Sequence, residues 1–374
     1  MFTPHTLRAL CLGALLLLAA CGKTAADKDA PLAFVDADTA FVYANSEPLP
    51  AATLKKWDGN VQQVWPLMIA MYDKSLGDLE SAQEADPDVI TPVPVRVLRA
   101  LLEEFRHRDS FAKWAEIGLD PSGHGAFYGV GMVPVLRVEL SDTTAFRAMI
   151  ARIETASGSN MIASKVGEQE LWLLPGDKMQ GLIAIQGNHL VASLLPTTAD
   201  DALTKRVLGL TRPATSLQED GAFATFNKGE GYVAYGSGWI DFGRLVGLID
   251  NDPGYRAFAQ LMGDVPALDA ECRADLETVT RHAPRLVFGY TALSPQRIDG
   301  SSRLELDATL AAAVQTLASP PAGSAAAAGD ALYDMSLSLP VLKYKQFLLD
   351  RANAILAEPF RCAALASWNE SATQ

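Results

Sequence analysis

Four times along the chain one local pattern recurs: a short strand, a polar or proline stop, then an amphipathic helix, with strands opening near residues 39, 135, 232 and 332. In the first, Thr39-Ala-Phe-Val-Tyr-Ala-Asn45 passes Pro48 and Pro50 into a helix with Leu54, Trp57, Val61, Trp65 and Met68 on one side. In the second, Leu136, Val138 and Leu140 alternate with Arg137 and Glu139, which predicts a half-buried strand with the charged pair outward. Asp142 then caps a helix whose Phe146, Met149, Ile150 and Ile153 follow i, i+3, i+4, i+7 spacing. The third runs from Tyr232–Ile240 through Asp241 to Phe242, Leu245, Val246 and Ile249. The fourth sets Tyr333, Met335, Leu337 and Leu339 against Asp334, Ser336 and Ser338, and after Pro340 carries Tyr344, Phe347, Leu348 and Ile355.

Strand-cap-helix units of this kind predict an α+β fold. Between the second and third units, Leu182–Gln186 and His189–Leu195 are separated only by Gly187-Asn188, which tolerate the positive φ of a tight hairpin, so the pairing is read as antiparallel. The expectation is a curved antiparallel sheet with amphipathic helices on one side. Units one and three are each followed by two helical stretches, residues 54–80 and 95–116 and residues 242–262 and 266–282, which fits an internal duplication into halves 34–215 and 216–374. The commonness of such units offers a plainer account. Residues 81–94, with Asp-Pro-Asp and Thr-Pro-Val-Pro, and residues 319–329, rich in Pro, Gly, Ser and Ala, read as exposed loops.

At the N-terminus Arg8 precedes an apolar run, Ala9 to Ala20, too short to span a bilayer, and Leu18-Ala19-Ala20-Cys21 ends it. This string resembles the lipobox of bacterial lipoproteins. The resemblance implies a signal peptide at residues 1–20, cleavage before Cys21, a diacylglycerol on its sulfur and a third acyl chain on the new amino group. Gly22, rather than Asp, implies by analogy an outer-membrane protein facing the periplasm. The plainer readings are a cysteine serving as one more small residue of a signal peptide, or a buried helix. Residues 21–33, small, charged and aperiodic, read as a tether, the twelve residues after Cys21 reaching about 40 Å when extended. After Ala20 no run approaches eighteen apolar residues.

A weaker likeness lies in Ile117-Gly-Leu-Asp-Pro-Ser-Gly-His-Gly-Ala-Phe-Tyr-Gly129, in Pro134-Val-Leu-Arg-Val-Glu-Leu-Ser-Asp142, and in Ala37-Asp38-Thr39 ahead of the first strand. These segments resemble a family of secreted bacterial proteins of unknown function. The resemblance implies an α+β fold and transfers no catalytic residue.

The formal net charge is −13, and loss of Arg8 with the signal makes the mature chain more acidic still. That balance argues against nucleic acid and against general adhesion to anionic lipid, both of which need clustered cations. Two cysteines remain after Cys11 and Cys21. In an oxidising envelope Cys272 and Cys362 are expected to form a disulfide, two buried thiols being the alternative.

Chemistry is sparse. Of the histidines at 5, 107, 124, 189 and 282, none has a second His at zinc-helix spacing. His107 reads as solvated, and His124, between two glycines, as a turn residue and the one histidine worth inspecting. Gly236-Ser237-Gly238 lacks nucleophile-elbow spacing, and Gly129-Val-Gly131 leads into a strand where a dinucleotide site needs a helix. The adjacent acids Glu103-Glu104 and Asp200-Asp201 diverge on a helix, and the tryptophans read mostly as core. No catalytic residue, metal ligand or cofactor is assigned. The expected function is a non-enzymatic, lipid-anchored periplasmic protein that binds a protein partner or an apolar ligand. The alternatives are an envelope hydrolase with a site assembled from distant residues, and a structural component of an envelope assembly.

Overall fold

The computed structural model describes residues 28–85, 94–158, 160–249, 252–255, 268–320 and 338–374. Cys21, the signal segment and most of the fourth expected strand lie outside the described residues, as do most of the two expected loops.

In chain order come a 3₁₀ turn Pro31–Phe34, β1 Phe41–Asn45, helices α1 Ala51–Ala85, α2 Val95–Arg106 and α3 Phe111–Ala115, then the hairpin β2 Gly125–Val130 and β3 Val133–Glu139. Helix α4 Thr143–Ser157 leads to a meander of β4 Ile162–Val166, β5 Gln169–Leu174, β6 Met179–Gln186 and β7 His189–Pro196, followed by α5 Asp201–Leu208, α6 Leu217–Asp220 and α7 Ala222–Glu230. The second half comprises β8 Tyr235–Asp241, α8 Phe242–Leu248, α9 Ala270–His282, the hairpin β9 Arg285–Leu293 and β10 Ile298–Leu304, α10 Ala308–Gln315, α11 Val341–Ala357 and α12 Ala366–Ala372.

All ten strands join one antiparallel sheet in the order β10-β9-β8-β1-β2-β3-β7-β6-β5-β4. The sheet does not close, and the fold is α+β with a curved sheet. β8 and β1 lie side by side, third and fourth in that order, and each is followed in sequence by helices, a hairpin and a capped helix. Asp142 and Asp307 even cap α4 and α10 in the same way, one carboxylate oxygen accepting from two backbone N–H groups.

Helices cover both faces of this sheet, which corrects the expected one-sided layering. Successive strand residues point to opposite faces. On β6, Leu182 and Ala184 join a cluster with the 3₁₀ turn, α5, α6 and α7, whereas Ile183 and Ile185 join another with Phe146, Met149, Ile150 and Ile153 of α4 and with α2. The α4 stripe is buried as its spacing predicts. The β6–β7 hairpin turns at Gly187, φ 60°, in the expected register of Gln186 opposite His189.

The inward face of β3 is the reverse of the expected one. Val133, Val135 and Arg137 are buried while Leu136 is 38% exposed. Arg137, wholly buried, donates through its guanidinium to Gln186 Oε1 at 2.9 Å and to the Leu208 carbonyl at 2.8 Å, and lies 3.6 Å from the centre of the Phe34 ring. Gly209, φ 77°, closes over this stack, where a Cβ would sit 2.3 Å from the Phe34 ring.

The expected tether is shorter than its composition suggests. Pro31, Leu32, Ala33 and Phe34 are all buried in the 3₁₀ turn, and Leu32, Ala33 and Phe34 belong to the main core. Apolar side chains at three successive positions were readable here, but their place beneath the sheet was not.

Candidate binding face of the sheet

The face opposite the main core carries a row of large apolar side chains across the central strands. Register places Phe288 of β9 opposite Gly238 of β8, Gly238 opposite Tyr43 of β1, Tyr43 opposite Phe127 of β2, and Phe127 opposite Leu136 of β3. Tyr43 is 37% exposed and Phe127 43%, an unusual openness for aromatic residues in the middle of a sheet. Gly238 has no side chain to separate its neighbours, so the rings of Tyr43 and Phe288 stack with centroids 6.0 Å apart and planes 24° from parallel. A Cβ at Gly238 would lie 1.9 Å from the Val42 carbonyl, so the row depends on glycine there. Phe41 extends the band, 5.7 Å from Phe127.

At one end the band opens into a shallow cleft of about 330 Å³ lined by Tyr43, Phe288, Tyr290, Ser301 and Ser302. Burial, with Tyr290 and Tyr235 nearby, pushes the Tyr43 hydroxyl up to about 12, so the whole band is uncharged at neutral pH. Sequence reasoning missed it because β1 and β2 carry apolar residues at both parities, and alternation alone cannot say which set is covered.

A second apolar surface belongs to the C-terminal helices. Helix α11 has no buried residue, Leu342 being 82% exposed, and between α11 and α12 lies a cleft of about 550 Å³ lined by Tyr344, Leu348, Ile355 and Trp368. The segment is held through Cys272 of α9 and Cys362, which are bonded to each other, and through backbone N–H groups of Arg361 and Cys362 donating to Asp275.

Histidines fall into different settings. His107 is exposed at the end of α2. His124 contacts Glu139 Oε2 through Nδ1 at 2.8 Å, but the neighbouring Ser122 hydroxyl donates to Asp120 Oδ1, so this group contains no serine-histidine pair. His282 meets Asp307. Ser237, of the Gly-Ser-Gly string, is buried and donates to Asn227 Oδ1 at 2.7 Å. The tryptophans divide: Trp172 and Trp239 are buried, Trp65 and Trp114 pack together beside Phe105, and Trp368 is half exposed. Among the described residues no group of three or more His, Cys, Asp or Glu could hold a metal ion, and no helix is long and apolar enough to cross a membrane.

His189, passed over in the sequence, is 2% exposed beside Phe34. Burial, reinforced by Arg137, lowers its pKa from 6.5 to about 4. The folded state therefore holds this ring neutral while the unfolded chain protonates it near 6.5. Its contribution is complete above that pH and is lost as pH falls from about 6.5 towards 4, amounting to roughly 3 kcal/mol. Urea midpoints should fall across this window, and His189→Gln should flatten the slope. An equally steep slope in the variant would assign the acid sensitivity elsewhere.

Comparison with protein-family models, curated proteins and solved structures finds no match to this chain.

Proposed function

We propose that this is a lipid-anchored protein of the bacterial envelope, attached through Cys21 and facing the periplasm, which acts by binding and not by catalysis. The observation that carries the binding role is the uncharged band of Tyr43, Phe127, Leu136 and Phe288 on the face of the sheet opposite the main core. Exposed apolar patches persist in folded proteins chiefly where something docks, and a row spanning five strands suits an apolar ligand or an apolar stretch of a protein partner. Lipidation rests on the order of Arg8, the short apolar run and Leu18-Ala19-Ala20-Cys21.

Native mass spectrometry of the mature protein extracted from its own envelope tests the reading. A co-purifying species is expected, with occupancy reduced at least about tenfold in Phe127→Ser/Leu136→Ser, both substitutions being at exposed sites that folding tolerates. Equal occupancy in the variant would move the site off the sheet. The exposed apolar face of α11 supports a second reading, a structural role in an envelope assembly, for which the retained species would be a protein lost on Leu342→Ser.

A further inference from the structure

We propose that the turn between α5 and α6, residues 209–216, lies against the phospholipid headgroups of the membrane that holds the acyl chains; this rests on the lipoprotein reading of Cys21. The point at which the chain leaves the folded body is set by Arg212. Its guanidinium sits 3.6 Å from the centre of the Phe34 ring, as does that of Arg137, so the two must occupy opposite faces of the ring. The same guanidinium donates to the carbonyls of Lys28 at 2.8 Å and Ala33 at 3.5 Å, and pairs with Asp29 at 3.1 Å. The N-terminal chain is therefore pinned to the body from Lys28 onward.

Seven residue steps separate Lys28 from Cys21, a span of at most about 25 Å even when extended. The α5–α6 turn is held within that distance of the bilayer surface at all times, a restriction that raises its effective concentration there. Its side chains suit such contact. Leu210 is 43% exposed, Lys205 and Arg206 stand in the last turn of α5, and Arg212 remains 40% exposed. A leucine flanked by long cationic side chains can enter the headgroup region while the cations meet phosphates. Arg206 and Arg212 also face the carboxylates of Asp36 and Asp29, at 3.7 and 3.1 Å, so headgroup phosphates share these cations with them. The 3₁₀ turn and α5 cover the main-core face of the sheet, so this orientation turns the aromatic band away from the membrane.

Hydrogen exchange of the mature acylated chain tests the arrangement, comparing vesicles of phosphatidylcholine containing phosphatidylglycerol with detergent micelles. Amides of residues 205–212 should exchange at least about tenfold more slowly on the vesicles, with β2 unchanged, and Arg206→Glu/Leu210→Glu should remove the difference. Equal exchange of residues 205–212 in the two media, or protection found instead on β1 and β2, would overturn the proposal while an intact mass with acyl chains leaves the lipoprotein reading standing. An intact mass without acyl chains would overturn both.

Discussion

Replacing Arg137 with alanine is expected to lower the unfolding free energy by about 3–5 kcal/mol, the range for truncating a large, fully buried side chain. The guanidinium fills the space between β3, Phe34 and the end of α5, and its removal opens a cavity and strands the Leu208 carbonyl, to which it donates at 2.8 Å. The positive charge is not what stabilises the fold. Burial lowers the pKa of Arg137, and its two hydrogen-bond acceptors, Gln186 and Leu208, are uncharged. Arg137→Met, which retains the bulk without the charge, should recover much of the loss. Arg137→Lys, which keeps the charge but neither stacks on Phe34 nor reaches both acceptors, should be worse than Met. Urea unfolding of the three variants gives the order Met above Lys, with Ala far below wild type. A cost under about 1 kcal/mol for Ala would mean the site collapses around the gap.

Loss of the Cys272–Cys362 bond should release the C-terminal segment by local unfolding. The bond closes a loop of sequence separation 90, for which the chain-entropy relation gives roughly 4 to 5 kcal/mol. The core it serves is small: the two cysteines and Leu365, with Leu268, Leu276, Val279 and Phe360 packed around them. No residue of the main sheet belongs to that cluster, so the effect should be confined to it. In Cys272→Ser/Cys362→Ser, amide exchange of residues 362–372 should approach that of free chain, whereas β1, β2 and β3 keep their protection. Denatured, unreduced wild type should show no reactive thiol among these two. Two reactive thiols in freshly isolated protein would refute the pairing.

Much of the architecture was legible because it depends on neighbours in sequence. The Asp142 cap, the stripe Phe146-Met149-Ile150-Ile153 and the Gly187-Asn188 turn are each specified within a few residues, and each stands as read. β3 failed for a definable reason. With Val133, Val135, Leu136 and Val138 the strand has apolar residues at both parities, and Arg137 argued for the wrong face because a buried guanidinium needs Phe34, Gln186 and Leu208, residues about 50 to 100 positions away. The aromatic band was hidden by the same ambiguity. Only the joining of β9, β8, β1, β2 and β3 reveals that Phe288, Tyr43, Phe127 and Leu136 fall in one row.

The sequence by itself determined the local units, the antiparallel hairpin and the α+β class, since helical stripes, caps and tight turns are decided by residues within one or two turns of each other. Its order of charge, apolar run and Cys21 also carried the whole case for lipid attachment. Tertiary structure alone decided which face of each central strand is covered, that helices lie on both sides of the sheet, and that Leu32 and Ala33 belong to the core instead of the tether. These outcomes turn on contacts between segments far apart in the chain, where burial of one apolar set leaves its alternate in solvent, and no local pattern records which set that is.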